Sequence, residues 1–135
     1  MIIVVVIGGF FYWSGRRFRP EKIARNAAKT MPIAYYGFEA AHPEMPREAL
    51  YMQTLMSRPT FRNEEAARMI FEDARQTARE SGKPIRLWMV VLWSTMHEYH
   101  TFRSRTANLP GKIPHALEFY EQFLAGIQQV IPEDV

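Results

Sequence analysis

The sequence predicts a mainly α protein: an N-terminal single transmembrane helix followed by a small helical domain of about four helices. Three observations lead there. Residues 1–19 pass from an uncharged apolar block through an aromatic pair to a basic cluster. Further along, apolar residues recur at 3- and 4-residue spacing in stretches closed by Pro or Gly, which is the mark of amphipathic helices. Nowhere does a strand-like run alternate with a helical one in the manner of an α/β fold.

The anchor occupies residues 1–15. Ile2, Ile3, Val4, Val5, Val6, Ile7, Phe10 and Phe11 supply the apolar body, and Tyr12 and Trp13 follow at the position where amphipathic rings settle at headgroup level. Arg16, Arg17 and Arg19 come next and suit anionic headgroups. Fifteen helical residues rise about 22 Å against a hydrocarbon core of about 30 Å, so the span is short and calls for snorkelling, thinning of the bilayer or neighbouring helices. A cleaved signal peptide fits less well, because the charges follow the apolar run instead of preceding it. The β-branched run at 2–7 also suits a buried strand, with Gly8 and Gly9 opening a turn. The glycines do not fall into the spacing of a dinucleotide-binding loop, however, and bulky rings follow them.

Charge sets the orientation. The chain of 135 residues carries a formal net charge of +3, yet six of its basic residues and a single acid fall between Arg16 and Lys29, leaving a net of −2 elsewhere. Positive charge gathered beside an apolar span places the N-terminus outside and the C-terminal bulk in the cytoplasm. A nucleic-acid partner is not expected, since such a footprint spreads over a folded face. The chain has no cysteine, which removes disulfides and thiolate chemistry.

Residues 16–30 read as a basic juxtamembrane helix opened by Pro20, with Ile23, Ala24, Ala27 and Ala28 on one side and Lys22, Arg25 and Lys29 on a stripe that suits headgroups or solvent. Residues 31–46 hold Pro32, Gly37, Pro43 and Pro46 and read as an aromatic, proline-rich connector. Its Tyr35, Tyr36 and Phe38 are candidates for binding a partner, or for covering the domain's own core.

Residues 47–135 form the helical domain. The first helix runs from Pro46 to Ser57, with Ala49, Leu50, Met52 or Gln53, Leu55 and Met56 as its apolar side, and Pro59 beyond it. The next has the clearest signals: Asn63 as cap, Glu64 and Glu65 in the first turn, Ala67, Ile70, Phe71, Ala74 and Ala78 as its inner face, and Gly82 and Pro84 as its stop. Ile85 to about Arg105 contains an unbroken apolar run, Leu87 to Trp93, that suits a central helix and competes with a short buried strand. A final helix is expected from Pro114 to Val130, ended by Pro132.

One constellation has metal-ligand character. His97 and His100 stand at i and i+3 on one side of a helix, with His115, Glu118 and Glu121 as further donors if the last helix packs alongside. The spacing is that of neither a zincin nor a di-iron bundle. No G-x-S-x-G elbow or P-loop is present, and the acid pairs Glu64–Glu65 and Glu72–Asp73 occupy surface-type positions. The expectation is therefore a non-enzymatic single-pass membrane protein without a cofactor. It would act as an accessory, assembly or docking subunit among membrane lipids and other membrane protein subunits. The alternative is a helical protein that binds a metal or haem through His97 and His100.

Overall fold

The computed structural model describes residues 19–58, 63–107 and 119–135, and for 102–107 the backbone alone. It contains five helices and, among the described residues, no strand: α1 (Pro20–Ala41), α2 (Arg47–Met56), α3 (Glu64–Ser81), α4 (Leu87–Ala107) and α5 (Tyr120–Gln128). None of these is long and apolar enough to cross a membrane. The expected anchor, Ile2 to Trp13, lies outside the described residues, as do Arg16, Arg17 and the strand that competes for 2–7.

The first helix corrects the expected connector. α1 does not stop at Thr30 but continues through Pro32 to Ala41, so residues 31–41 are helical and only 42–46 link it to α2. A proline inside a helix lacks the N–H that would bond the carbonyl four residues back and costs about 3 kcal/mol. Burial opposes that cost. Ala24, Ala27, Ala28, Met31 and Tyr35 fall on one stripe and are all buried, and Tyr35 stacks on Tyr51 of α2 with centroids 5.3 Å apart. Each large side chain so buried contributes about 1.5–3 kcal/mol, enough for the two beyond Thr30 to carry the helix across Pro32. The helix ends where the His42 N–H bonds back to the Phe38 carbonyl at 2.9 Å, followed by Pro43.

α2 buries Leu50, Tyr51, Thr54 and Leu55, while Ala49, Met52 and Met56 are only half-buried, so its inner face is rotated from the one expected. The Thr54 hydroxyl tolerates burial by donating to the Leu50 carbonyl at 2.8 Å. α3 matches its sequence signals: the Glu65 N–H donates to Asn63 Oδ1 at 2.9 Å, the inner face is Ala67, Ile70, Phe71, Ala74 and Ala78, and Gly82 adopts φ 67°. That left-handed turn lets the Lys83 N–H close on the Ala78 carbonyl at 3.1 Å.

The apolar run at 87–93 is helix, not strand, and α4 is the axis of the domain, in contact with all four other helices. Leu87 to Leu92 and Ser94 to Met96 are buried without a break, so the helix has no polar side over its first half. The chain's last residues fold back to hold its start. The Trp88 indole N–H donates to the Glu133 carbonyl at 2.9 Å, and the Trp88 backbone N–H donates to the Val135 carbonyl at 3.3 Å.

The described part of the last helix begins at Tyr120; residues 114–118 lie outside the described set. α5 seats Phe123, Gly126 and Ile127 inward and lies very close to α1. A Cβ at Gly126 would meet the Glu21 carbonyl oxygen and stand 2.8 Å from Ala24 Cβ, so the small residues at 24 and 126 set the approach of the two helices.

Candidate functional site

α3 and α4 place a polar network at the margin of the core. On α3, Asp73 and Thr77 are one turn apart; on α4, Trp93 and His97 are one turn apart, so both pairs face the same seam. The Trp93 indole N–H donates to Thr77 Oγ1 at 2.7 Å, and Thr77 Oγ1 donates to the Asp73 carbonyl at 3.2 Å. His97 Nε2 lies 2.7 Å from Asp73 Oδ2, with the His97 side chain 13% exposed.

Above this network opens a cleft of about 580 Å³ between α3, α4 and the start of α5. Asp73, Gln76, Thr77 and Glu80 line it from α3, Trp93 from α4, and Tyr120 and Glu121 from α5. Burial raises the Tyr120 phenol above its ordinary pKa, and the negative charges of Glu121 and Glu80 add to the effect. On the neighbouring turn of α4, Glu98 forms a two-pronged ion pair with Arg58, at 2.6 and 2.7 Å, which ties the end of α2 to α4.

The network holds a histidine on a carboxylate, and its one described hydroxyl, that of Thr77, is engaged elsewhere. The Thr77 hydroxyl is directed to the Asp73 carbonyl, and among the described residues no Ser, Thr or Tyr hydroxyl bonds His97. Nor are the two histidines drawn into one ligand set. His97 turns to Asp73, whereas His100 is 7% exposed, and neither of its ring nitrogens has a hydrogen-bond partner among the described residues. Among the described residues no group of three or more His, Asp or Glu side chains is placed to hold a metal ion. His115 and Glu118 lie outside that set, and Glu121 belongs to the cleft.

The three aromatic candidates of 31–46 separate. Tyr35 is buried in the core and Phe38 is packed against it, so both cover the domain's own interior. Tyr36 is 48% exposed, with its ring edge-on to Tyr35 at 5.3 Å, and Ile33, one turn earlier, is 72% exposed. Of the basic residues, Arg19, Lys22 and Lys29 are exposed, while Arg25 is drawn to Glu21 at 3.1 Å and Gln129 at 3.2 Å. The outer stripe of α1 therefore changes along its length from Lys22 and Lys29 to Ile33 and Tyr36.

Sequence reasoning passed over the cleft. Asp73 reads in the sequence as one of a surface-type acid pair, and Trp93 as the end of the apolar run. The signal that marks it is the recurrence of Asp73, Thr77 and Glu80 at 3- and 4-residue spacing on the flank of a strongly amphipathic helix, facing a Trp–His pair at i and i+4. Comparison with family models, with curated proteins and with solved structures finds no match to this chain.

Proposed function

We propose that this chain is a non-enzymatic single-pass membrane protein that serves as an accessory, assembly or docking subunit of a larger membrane complex, with its N-terminus outside and its helical domain in the cytoplasm. The observation that carries the reading is the order of residues 1–19, apolar block, aromatic pair and arginines, leading directly into α1. A short span gains from neighbouring helices that relieve its mismatch with the bilayer, which favours a subunit over a solitary anchor.

The outer face of α1 supports the docking half of the reading. Its Lys22 and Lys29 stand nearest the anchor, where anionic headgroups would attract them, and Ile33 and Tyr36 stand farther along, one turn apart and exposed. The test is purification of the full chain from its native membranes in mild detergent. A partner recovered in fixed stoichiometry, and lost from the Ile33→Glu and Tyr36→Glu variants, agrees with the proposal. A chain that leaves the membrane monomeric and alone contradicts it.

A further inference from the structure

The cleft between α3, α4 and α5 joins an aromatic wall to an acidic rim. Trp93 and Tyr120 make the wall, with ring centroids 6.5 Å apart and planes tilted by 54°. The bond from the Trp93 indole to Thr77 fixes that ring in place at 2.7 Å. Glu80 and Glu121 stand on the rim, and Asp73 lies two turns of α3 below Glu80. Among the described residues no lysine or arginine lines the cleft, and neither Glu80 nor Glu121 has an ion-pair partner there, Glu80 accepting only from the Gln76 amide at 3.2 Å while Asp73 is held by His97. Burial raises the Tyr120 phenol, and the negative charges of Glu121 and Glu80 beside it add to the rise.

These features select for positive charge. The face of an aromatic ring is the negative end of its quadrupole and attracts a cation lying within about 6 Å of its centroid, most strongly for Trp. Two carboxylates beside the rings add to that attraction, and no lysine or arginine among the described lining residues offsets it. The length matters too. Asp73 and Glu80 are seven residues apart on α3, a rise of about 10.5 Å, which about three residues of extended chain would cover. A volume of about 580 Å³ also exceeds what one ammonium group fills.

We infer that this cleft docks a cationic segment of a partner polypeptide, with an Arg or Lys side chain lying over the Trp93–Tyr120 pair and Glu80 and Glu121 as its counter-charges. The inference names a partner chemistry for the docking subunit proposed above and rests on that reading for the existence of a partner.

The test uses the full chain in detergent micelles with its tryptophan indoles labelled for NMR. The probe is the blocked peptide Gly-Arg-Gly-Arg-Gly, with Gly-Glu-Gly-Glu-Gly and choline as comparators. The arginine peptide should shift the Trp93 indole resonance and leave that of Trp88, which is held by the Glu133 carbonyl. Rising salt should weaken binding. The double variant Glu80→Gln and Glu121→Gln should weaken it about fivefold, as expected for two exposed counter-charges, and an unmoved Trp88 resonance shows that the variant is folded. No shift of Trp93, an equal shift from the glutamate peptide, an affinity unchanged in the double variant, or choline binding as tightly as the arginine peptide would each overturn the inference. Failure of the docking reading is seen separately. A chain that binds the peptide yet recovers no partner from membranes loses that reading, whereas a partnered chain indifferent to the peptide loses the cleft alone.

Discussion

α3 and α4 pack against each other, yet one presents a solvated face along its whole length and the other buries every residue from Leu87 to Leu92. α3 is specified by local chemistry: a capping Asn63, acids in the first turn, a 3–4 stripe of small and apolar residues, and a left-handed Gly82 at the stop. α4 has none of these within its apolar half, because a helix surrounded by others needs no polar side. The contrast teaches where each helix draws its stability. α3 carries a share of it in its own termini, and α4 takes nearly all of it from its neighbours. Substitutions should therefore cost most in α4, an intermediate amount where two helices meet closely, and least at the ends of α3.

The largest effect is expected from Leu92→Ala, which opens a void in the apolar first half of α4 where Leu92 is 0% exposed. The loss should be about 2–5 kcal/mol by denaturant titration of the full chain in detergent. A loss under about 1 kcal/mol would break the comparison, since α4 would then not depend on its surroundings.

Alkali probes a second packed position. Burial of Tyr51, stacked under Tyr35, pushes its phenol up to about 12, with the nearby Tyr35 adding to the rise and Arg47 opposing it. The unfolded phenol ionises near 10, so its folded-state contribution is intact below pH 10 and is lost as pH rises from about 10 to about 12. At one unit per about 1.4 kcal/mol the decline across that window should be about 2–3 kcal/mol. Tyr51→Phe should reduce it, leaving the smaller share of the other raised phenols, Tyr35 and Tyr120, and an equal decline in that variant would contradict the assignment.

Gly126→Val tests the close seam. The added side chain meets the Glu21 backbone and Ala24, neither of which can move without parting α1 from α5. Overpacking of this kind costs about 1–3 kcal/mol. Gly37→Ala, at an exposed helical position with open space around it, should instead be neutral or stabilising by up to about 1 kcal/mol in the same titration. The smallest loss belongs to Asn63→Ala, about 1 kcal/mol from removal of the cap on the Glu65 N–H. A larger loss there than at Leu92 would reverse the ranking of the two helices.

The same contrast explains how much could be read from the residues. The mainly helical fold and the bounds of α3 were legible because each signal is local and the signals agree. α4 was legible as a buried element, and only contact with its neighbours decided helix over strand, since a continuous apolar run fits both. α1 was misread beyond Thr30 because Pro32 and Gly37 are local breakers, whereas what keeps the helix intact is distant: the stacking of Tyr35 on Tyr51 and the burial of Met31. The rotated face of α2 has the same origin, Tyr51 being claimed by Tyr35. The cleft escaped notice because its parts are ordinary one at a time. Glu80, Trp93, Tyr120 and Glu121 come from three helices, and only their packing brings an aromatic pair beside two acids with no ion-pair partner among the described residues. The His97–Glu98–Tyr99–His100 motif, conspicuous in the sequence, is divided by the fold: His97 to Asp73, Glu98 to Arg58, and His100 into the interior.

The central claim is that residues 1–15 anchor this helical domain in a membrane, and the most direct measurement is extraction of the full-length chain from membranes by alkaline carbonate and, in parallel, by detergent. The account predicts that carbonate leaves the chain in the membrane pellet and that detergent alone releases it. Release by carbonate, or absence from the membrane fraction, would contradict the anchor and with it the docking subunit built upon it.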